Sequence, residues 1–196
     1  MSVAKIKNIC VYCGSRVGTS EVYADAAKAL GSGMGERQQN LVYGAGSIGL
    51  MGIIARAVTA SGGDVYGIIP DHLDAVEITQ SGLAETVITE NMHERKKLMF
   101  DKSDAFIVLP GGLGTLDETF EIITWAQLSL HSKPIIILNI DEYWTPFLTL
   151  VESVIEKGFA NPSVRDLFKV TTTVEETFDL LDCLARSDDK TKSHLF

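Results

Sequence analysis

The sequence predicts an α/β fold, a doubly wound parallel sheet that is Rossmann-like and three-layered. Three observations carry this expectation. Short, uncharged apolar runs recur along the chain, and a segment of helical periodicity follows each within a few residues. The connections are short, which for parallel strands means right-handed crossovers. Three of the runs end in glycine-rich turns: Gly14-Ser15, Gly44-Ala45-Gly46-Ser47-Ile48-Gly49, and Gly111-Gly112-Leu113-Gly114-Thr115. Such turns gather at the carboxyl edge of a parallel sheet, where ligands bind.

Taken in order, residues 9–12 form a first buried strand that Gly14-Ser15-Arg16 ends. A helix follows over 21–38, with Tyr23, Ala26, Ala27 and Leu30 on one stripe. A second strand, 41–43, turns through Gly44 to Gly49 into a helix over 50–60. A third strand, 65–69, precedes a loop over 70–82 that carries Glu77, and a short fourth strand covers 85–88. Asn91 opens a helix that runs to 102. Ala105-Phe106-Ile107-Val108-Leu109 is β-branched and uncharged, as a buried central strand requires. It ends in Pro110-Gly111-Gly112 and restarts as a helix from Gly114 to about 130. A strand over 134–138, a helix over 143–157, an edge strand over 168–172 and a helix over 174–184 complete the pattern. One domain is expected over 1–186, followed by a polar, loose tail over 187–196.

Composition narrows the function. A chain of 196 residues, 45% hydrophobic, has room for a full core. Its 17 basic and 26 acidic residues give a net charge of −9, which argues against nucleic acid polymers as partners. The N-terminus lacks the apolar stretch of a signal peptide and no run is long enough to span a membrane, so a cytoplasmic protein is expected. Cys10 and Cys13 have the spacing of a redox pair. Both belong to a strand, however, where a three-residue offset sends the side chains to opposite faces.

Each glycine turn has more than one reading. Gly44 to Gly49 fits G-x-G-x-x-G between a strand and a helix. A dinucleotide site also needs an acid at the end of the next strand, yet Asp64 precedes that strand and Asp71 lies beyond Pro70. The turn therefore reads as a close backbone approach to a smaller phosphate ligand. Pro110 to Glu118, a strand end restarting as a helix, is an anion site by construction, because N–H groups converge at the positive end of a helix dipole. Thr115-Leu116-Asp117-Glu118 is also a capping box, and that reading alone would make Glu118 a helix cap. Asn91-Met92-His93-Glu94 has similar spacing, and Glu94 is assigned to capping.

Arg95 does not fit so plain a role. It stands in the first turn of its helix, where a cation opposes the dipole, and it shares the apolar face with Leu98 and Met99. An inward cation there calls for an anionic partner, and Glu118 approaches the same cleft from the next βα unit. Lys96 points elsewhere by about a hundred degrees, and a solvated surface lysine is an equal alternative for it.

These residues together resemble the LOG (Lonely Guy) family of cytokinin-activating phosphoribohydrolases. The likeness rests on Gly44 to Gly52, on Met92-His93-Glu94-Arg95-Lys96, and on Pro110 to Glu118 with Ile123-Thr124-Trp125-Ala126-Gln127. It spans about 9–159. The resemblance implies hydrolysis of the N-glycosidic bond of a nucleoside 5′-monophosphate, with Arg95 and Glu118 as the catalytic pair. It implies nucleotide binding by Gly112, Leu113, Gly114, Thr115 and Asp117, with Lys96, Thr124 and Glu77 lining the site. Gly14, Ser15, Gly46 and Gly111 join these from the turns that meet at the sheet edge. Family members are typically homodimers with composite sites. Many carry a lysine decarboxylase label, although nothing in the sequence points to a pyridoxal phosphate site, and no cofactor or metal is expected.

The sequence departs from the family at three places. Ala45 interrupts a turn that is often Gly-Gly-Gly, Arg16 stands where Ser is usual, and Asp117 where Glu is common. A non-catalytic carrier of a phosphate-bearing ligand, like the molybdenum-cofactor carriers, is the alternative function. The helix after Gly114 is apolar nearly all round, through Phe120, Ile122, Ile123, Trp125, Ala126 and Leu128. It is expected either to meet a second subunit or to lie buried within one domain.

Overall fold

The computed structural model describes residues 6–74 and 83–193. Among them, seven strands form one sheet in the order β4-β3-β2-β1-β5-β6-β7, every neighbouring pair parallel. The strands are β1 (Asn8–Tyr12), β2 (Asn40–Tyr43), β3 (Val65–Pro70), β4 (Glu85–Thr89), β5 (Ala105–Val108), β6 (Ile135–Leu138) and β7 (Lys169–Thr171). The five inner strands β3, β2, β1, β5 and β6 are buried at nearly every position, which is why they read as continuous apolar runs. β7 lies at an edge, as expected, and β4 at the other, and both are largely exposed.

Helices cover both faces, which makes the three layers. α1 (Glu21–Glu36), α2 (Gly49–Ala60) and α7 (Val174–Ser193) pack on one face through Leu30, Met34, Ile54, Val58, Phe178 and Leu181. α4 (Met92–Lys102), α5 (Leu113–Gln127) and α6 (Thr145–Glu156) pack on the other through Met99, Ile122, Ile123, Phe147, Val151 and Ile155. Cys10 belongs to the second core and Cys13, one residue past the end of β1, to the first, so the two do lie on opposite faces of the sheet. Both are free and buried, and burial pushes both thiols well above their ordinary range.

Two expectations needed adjustment. The loop after β3 begins with a single helical turn, α3 (Asp71–Asp74), before the residues that are not described. α7 continues to Ser193 rather than stopping near 184, because no glycine or proline interrupts the chain there. Among the described residues no helix is long and apolar enough to cross a membrane.

The strand order reverses between β1 and β5, which pair from Ile9 with Ala105 to Tyr12 with Val108. Chain leaving these two strands diverges to opposite faces, and a crevice opens at their carboxyl ends. Asp64 precedes β3 at the opposite edge, where its carbonyl accepts from the Leu41 N–H, so it is remote from the G-x-G-x-x-G turn, whereas Asp71 opens α3 directly after Pro70, the last residue of β3.

Candidate active site

The three glycine turns meet in the crevice. Gly14 N–H donates to the Pro110 carbonyl at 3.0 Å, and the Gly14 carbonyl accepts from Leu50 N–H at 3.0 Å. Gly49 has φ 61° and packs so closely on the first turn that a Cβ would lie 2.2 Å from the Ser15 carbonyl carbon. Ala45, the departure noted in the sequence, has φ 66°, so a fully buried residue with a side chain occupies a left-handed position in this turn.

α5 begins at Leu113, one residue before the expected start, and its cap excludes the capping-box reading of Glu118. Its N-cap is Gly112, in extended conformation and with no side-chain cap. Thr115 therefore sits inside the first turn and Glu118 in the second, both buried, and no capping box forms. The first helical bond runs from Leu116 N–H to the Gly112 carbonyl, which leaves the N–H groups of Leu113, Gly114 and Thr115 ahead of the ladder. Gly112, Leu113 and Gly114 are exposed, so this helix end faces open space. By contrast, the Asn91 box does form. Asn91 Oδ1 accepts from Glu94 N–H at 3.0 Å and Glu94 Oε2 from Glu90 N–H at 2.8 Å.

With the end of α4 capped by Asn91, Arg95 is free to turn inward. Its Nε donates to the Ile68 carbonyl at 3.1 Å and its Nη1 to Glu118 Oε1 at 2.8 Å. The guanidinium lies over Gly44, where a Cβ would come within 2.3 Å of Nη2. Both ion-pair side chains are nearly buried, 12% exposed for Arg95 and 10% for Glu118. Burial lifts the Glu118 carboxyl above its ordinary value, and the neighbouring Arg95 offsets only part of that rise.

The pair lines a cavity of about 310 Å³. Gly14, Ser15 and the stretch from Gly112 to Thr115 form one side, with Asp117 nearby, and Met51, Leu73, Met92 and Met99 supply an apolar flank. Nine residues singled out in the sequence thus share one cavity: Gly14, Ser15, Arg95, Gly112, Leu113, Gly114, Thr115, Asp117 and Glu118. Others stand apart. Gly111 lines a neighbouring cavity of about 610 Å³ instead, together with Arg16. Gly46 is buried within its turn, and Gly44 lines the cavity in its place. Thr124 is exposed on α5, about 9 Å along the axis beyond Glu118. Lys96 is tied to Asp117 at 2.6 Å and to Glu121 at 3.4 Å. Burial works against its charge, but these carboxylates outweigh it and raise its pKa. Glu77 lies outside the described residues.

Sequence reasoning placed Gly44 and Met92 in its motifs without assigning either to the site and passed over Tyr12, yet all three line the cavity. Gly44 and Tyr12 had a legible signal, since each stands at the carboxyl end of a strand. Met92 had none beyond its place in the first turn of α4.

Fold and site together define a doubly wound α/β protein with a glycine-built helix start beside a buried Arg–Glu pair, at the edge where such sheets bind ligands. Comparison with known proteins makes the family specific. A family model described as "Possible lysine decarboxylase" matches residues 51–181. The chain is 44% identical over 186 residues to the cytokinin riboside 5′-monophosphate phosphoribohydrolase LOG5 of Arabidopsis thaliana, covering 95% of this chain and 82% of that protein. It is 42% identical over 195 residues to LOG3 of the same plant, covering 100% and 91%. Among solved structures, the molybdenum cofactor binding protein of Rippkaea orientalis superposes with a TM-score of 0.70 at 19% identity, covering 92% of this chain and 98% of that one. At that identity the likeness shows the fold alone. The chain belongs to the LOG family of phosphoribohydrolases, which are N-glycosidic hydrolases.

Proposed function

We propose that the protein hydrolyses the N-glycosidic bond of AMP or an N6-substituted AMP, a cytokinin precursor, giving free base and ribose 5-phosphate. The observation that carries this reading is the buried Arg95–Glu118 pair beside the uncapped start of α5. The 5′-phosphate is held by the N–H groups of Gly112 to Thr115, at the positive end of the helix dipole. That remote contact orients the reacting sugar. As the bond from C1′ to the purine nitrogen breaks, positive charge builds on the ribose ring. The Glu118 carboxylate faces that charge and orients the water that adds to C1′. One water proton ends on the departing base. Arg95 holds Glu118 ionised against its burial and fixes its rotamer through the Ile68 carbonyl.

Incubation of the purified protein with AMP tests this directly: adenine and ribose 5-phosphate appear in equal amounts. Binding of AMP without release of adenine would favour a carrier instead.

The assembly that this reading favours is a homodimer. Phe120 and Leu128 on and after α5, and Leu150 and Val154 on α6, are exposed apolar side chains. The two helices touch through Phe120 and Phe147, ring centres 5.1 Å apart. The cytoplasm, which holds nucleoside monophosphates, is the compartment assigned to it.

A further inference from the structure

One strained stretch of backbone has no part in the catalytic pair or the cradle. After β6 the chain passes through a 3₁₀ turn, Ile140–Glu142, in which Asp141 (φ 51°) and Glu142 (φ 55°) both lie in the left-handed region. Residues with side chains avoid that region, and two in succession persist only where surrounding contacts hold them. Here Asn139 Oδ1 closes the turn by accepting from Trp144 N–H at 2.6 Å.

What the turn delivers is Tyr143. Its ring lines the larger cavity, edge-on to Tyr23 at 5.5 Å and to Trp144 at 4.9 Å. Its hydroxyl donates to the Gly111 carbonyl at 2.5 Å. The Gly111 carbonyl and the Gly112 N–H belong to one trans peptide, so they point in opposite directions. Fixing the carbonyl toward Tyr143 therefore turns the Gly112 N–H away from it. Gly112 is a residue shared by the walls of both cavities, whereas Gly111 lines only the one with Tyr143. Two adjacent glycines have no side chains to resist rotation of the peptide between them.

We propose that Tyr143 is a positioning residue for the phosphate cradle, locking the Gly111–Gly112 peptide so that its N–H faces the nucleotide. This rests on the reading that Gly112 to Thr115 hold the substrate's phosphate. Tyr143 acts on binding of the phosphoryl group and not on the base or the bond that breaks.

Tyr143→Phe keeps the ring contacts and removes one hydrogen bond. It raises both the KM for AMP and the inhibition constant of ribose 5-phosphate about tenfold, with kcat changed less than about twofold. Inhibition by adenine, which has no phosphate, stays as in the wild type. Tyr23→Phe, which removes a hydroxyl from the same cavity, leaves all these constants unchanged. Unaltered constants for AMP and ribose 5-phosphate in Tyr143→Phe overturn the proposal, as does equal weakening of adenine. A wild-type protein that leaves AMP intact defeats the hydrolase reading instead. The pair is then compared by calorimetry with inorganic phosphate, where tenfold weaker binding by Tyr143→Phe supports the cradle role and equal binding overturns it.

Discussion

Glu118 holds its carboxyl where burial disfavours charge, and the proposed reaction needs that charge. Arg95 supplies the compensation at 2.8 Å. Glu118→Gln keeps the shape and a hydrogen-bond acceptor for Arg95 but removes the charge. Its kcat for AMP falls about a hundredfold or more, with the fold retained by circular dichroism. The raised pKa also fixes the pH profile. A carboxyl whose folded pKa lies above its unfolded value is ionised only at higher pH, so activity is lost as pH falls through the raised value. The acid limb of kcat/KM thus lies above the ordinary glutamate value of about 4.3, and a limb at or below it would contradict the assignment. The same shift means that the native state binds this proton more tightly than the unfolded chain, so Glu118's contribution to stability declines as pH rises from the unfolded to the folded pKa.

At the scale of elements, the turn from β2 to α2 matters for what it leaves out. Gly44 has no side chain, and the Arg95 guanidinium occupies the space a Cβ would fill. Arg95 cannot simply swing aside, because Nε is bonded to Ile68 and Nη1 to Glu118. Gly44→Ala therefore costs about 1–3 kcal/mol in thermal or urea unfolding and lowers kcat/KM for AMP at least about tenfold. An alanine variant with full activity would show that the ion pair is not needed in this geometry. Lys96 with Asp117 links α4 to α5 next to the Arg95–Glu118 pair, although Asp117 is 62% exposed, and an ion pair so open to water adds little stability.

At the scale of the molecule, α5 is not wholly covered by its own chain. Ile122 and Ile123 lie in the core, while Phe120 is 39% and Leu128 62% exposed. This removes the reading of a helix buried within one domain and leaves an apolar surface shared with α6. If that surface joins two copies, the wild type sediments at twice the chain mass and Leu128→Glu with Leu150→Glu sediments as the single chain. A wild-type monomer at micromolar concentration would end the dimer reading.

The sequence by itself determined the layering, the strand boundaries to within a residue or two, and the meeting of the three glycine turns. Buried parallel strands are uninterrupted apolar runs, and Gly14, Gly49 and Gly111 mark their turns without reference to anything distant. It also separated Cys10 from Cys13, because strand geometry is local. Only the tertiary structure excluded the capping box for Thr115 and Glu118, since the N-cap of α5 is Gly112 and a capping box depends on where a helix begins. It alone placed Lys96 against Asp117, set Gly44 beneath Arg95, and showed burial outweighing Arg95 at Glu118. Each of these is a relation between segments far apart in the chain. Periodicity carries which face of an element is apolar, and it carries nothing about which atom of another element will stand opposite.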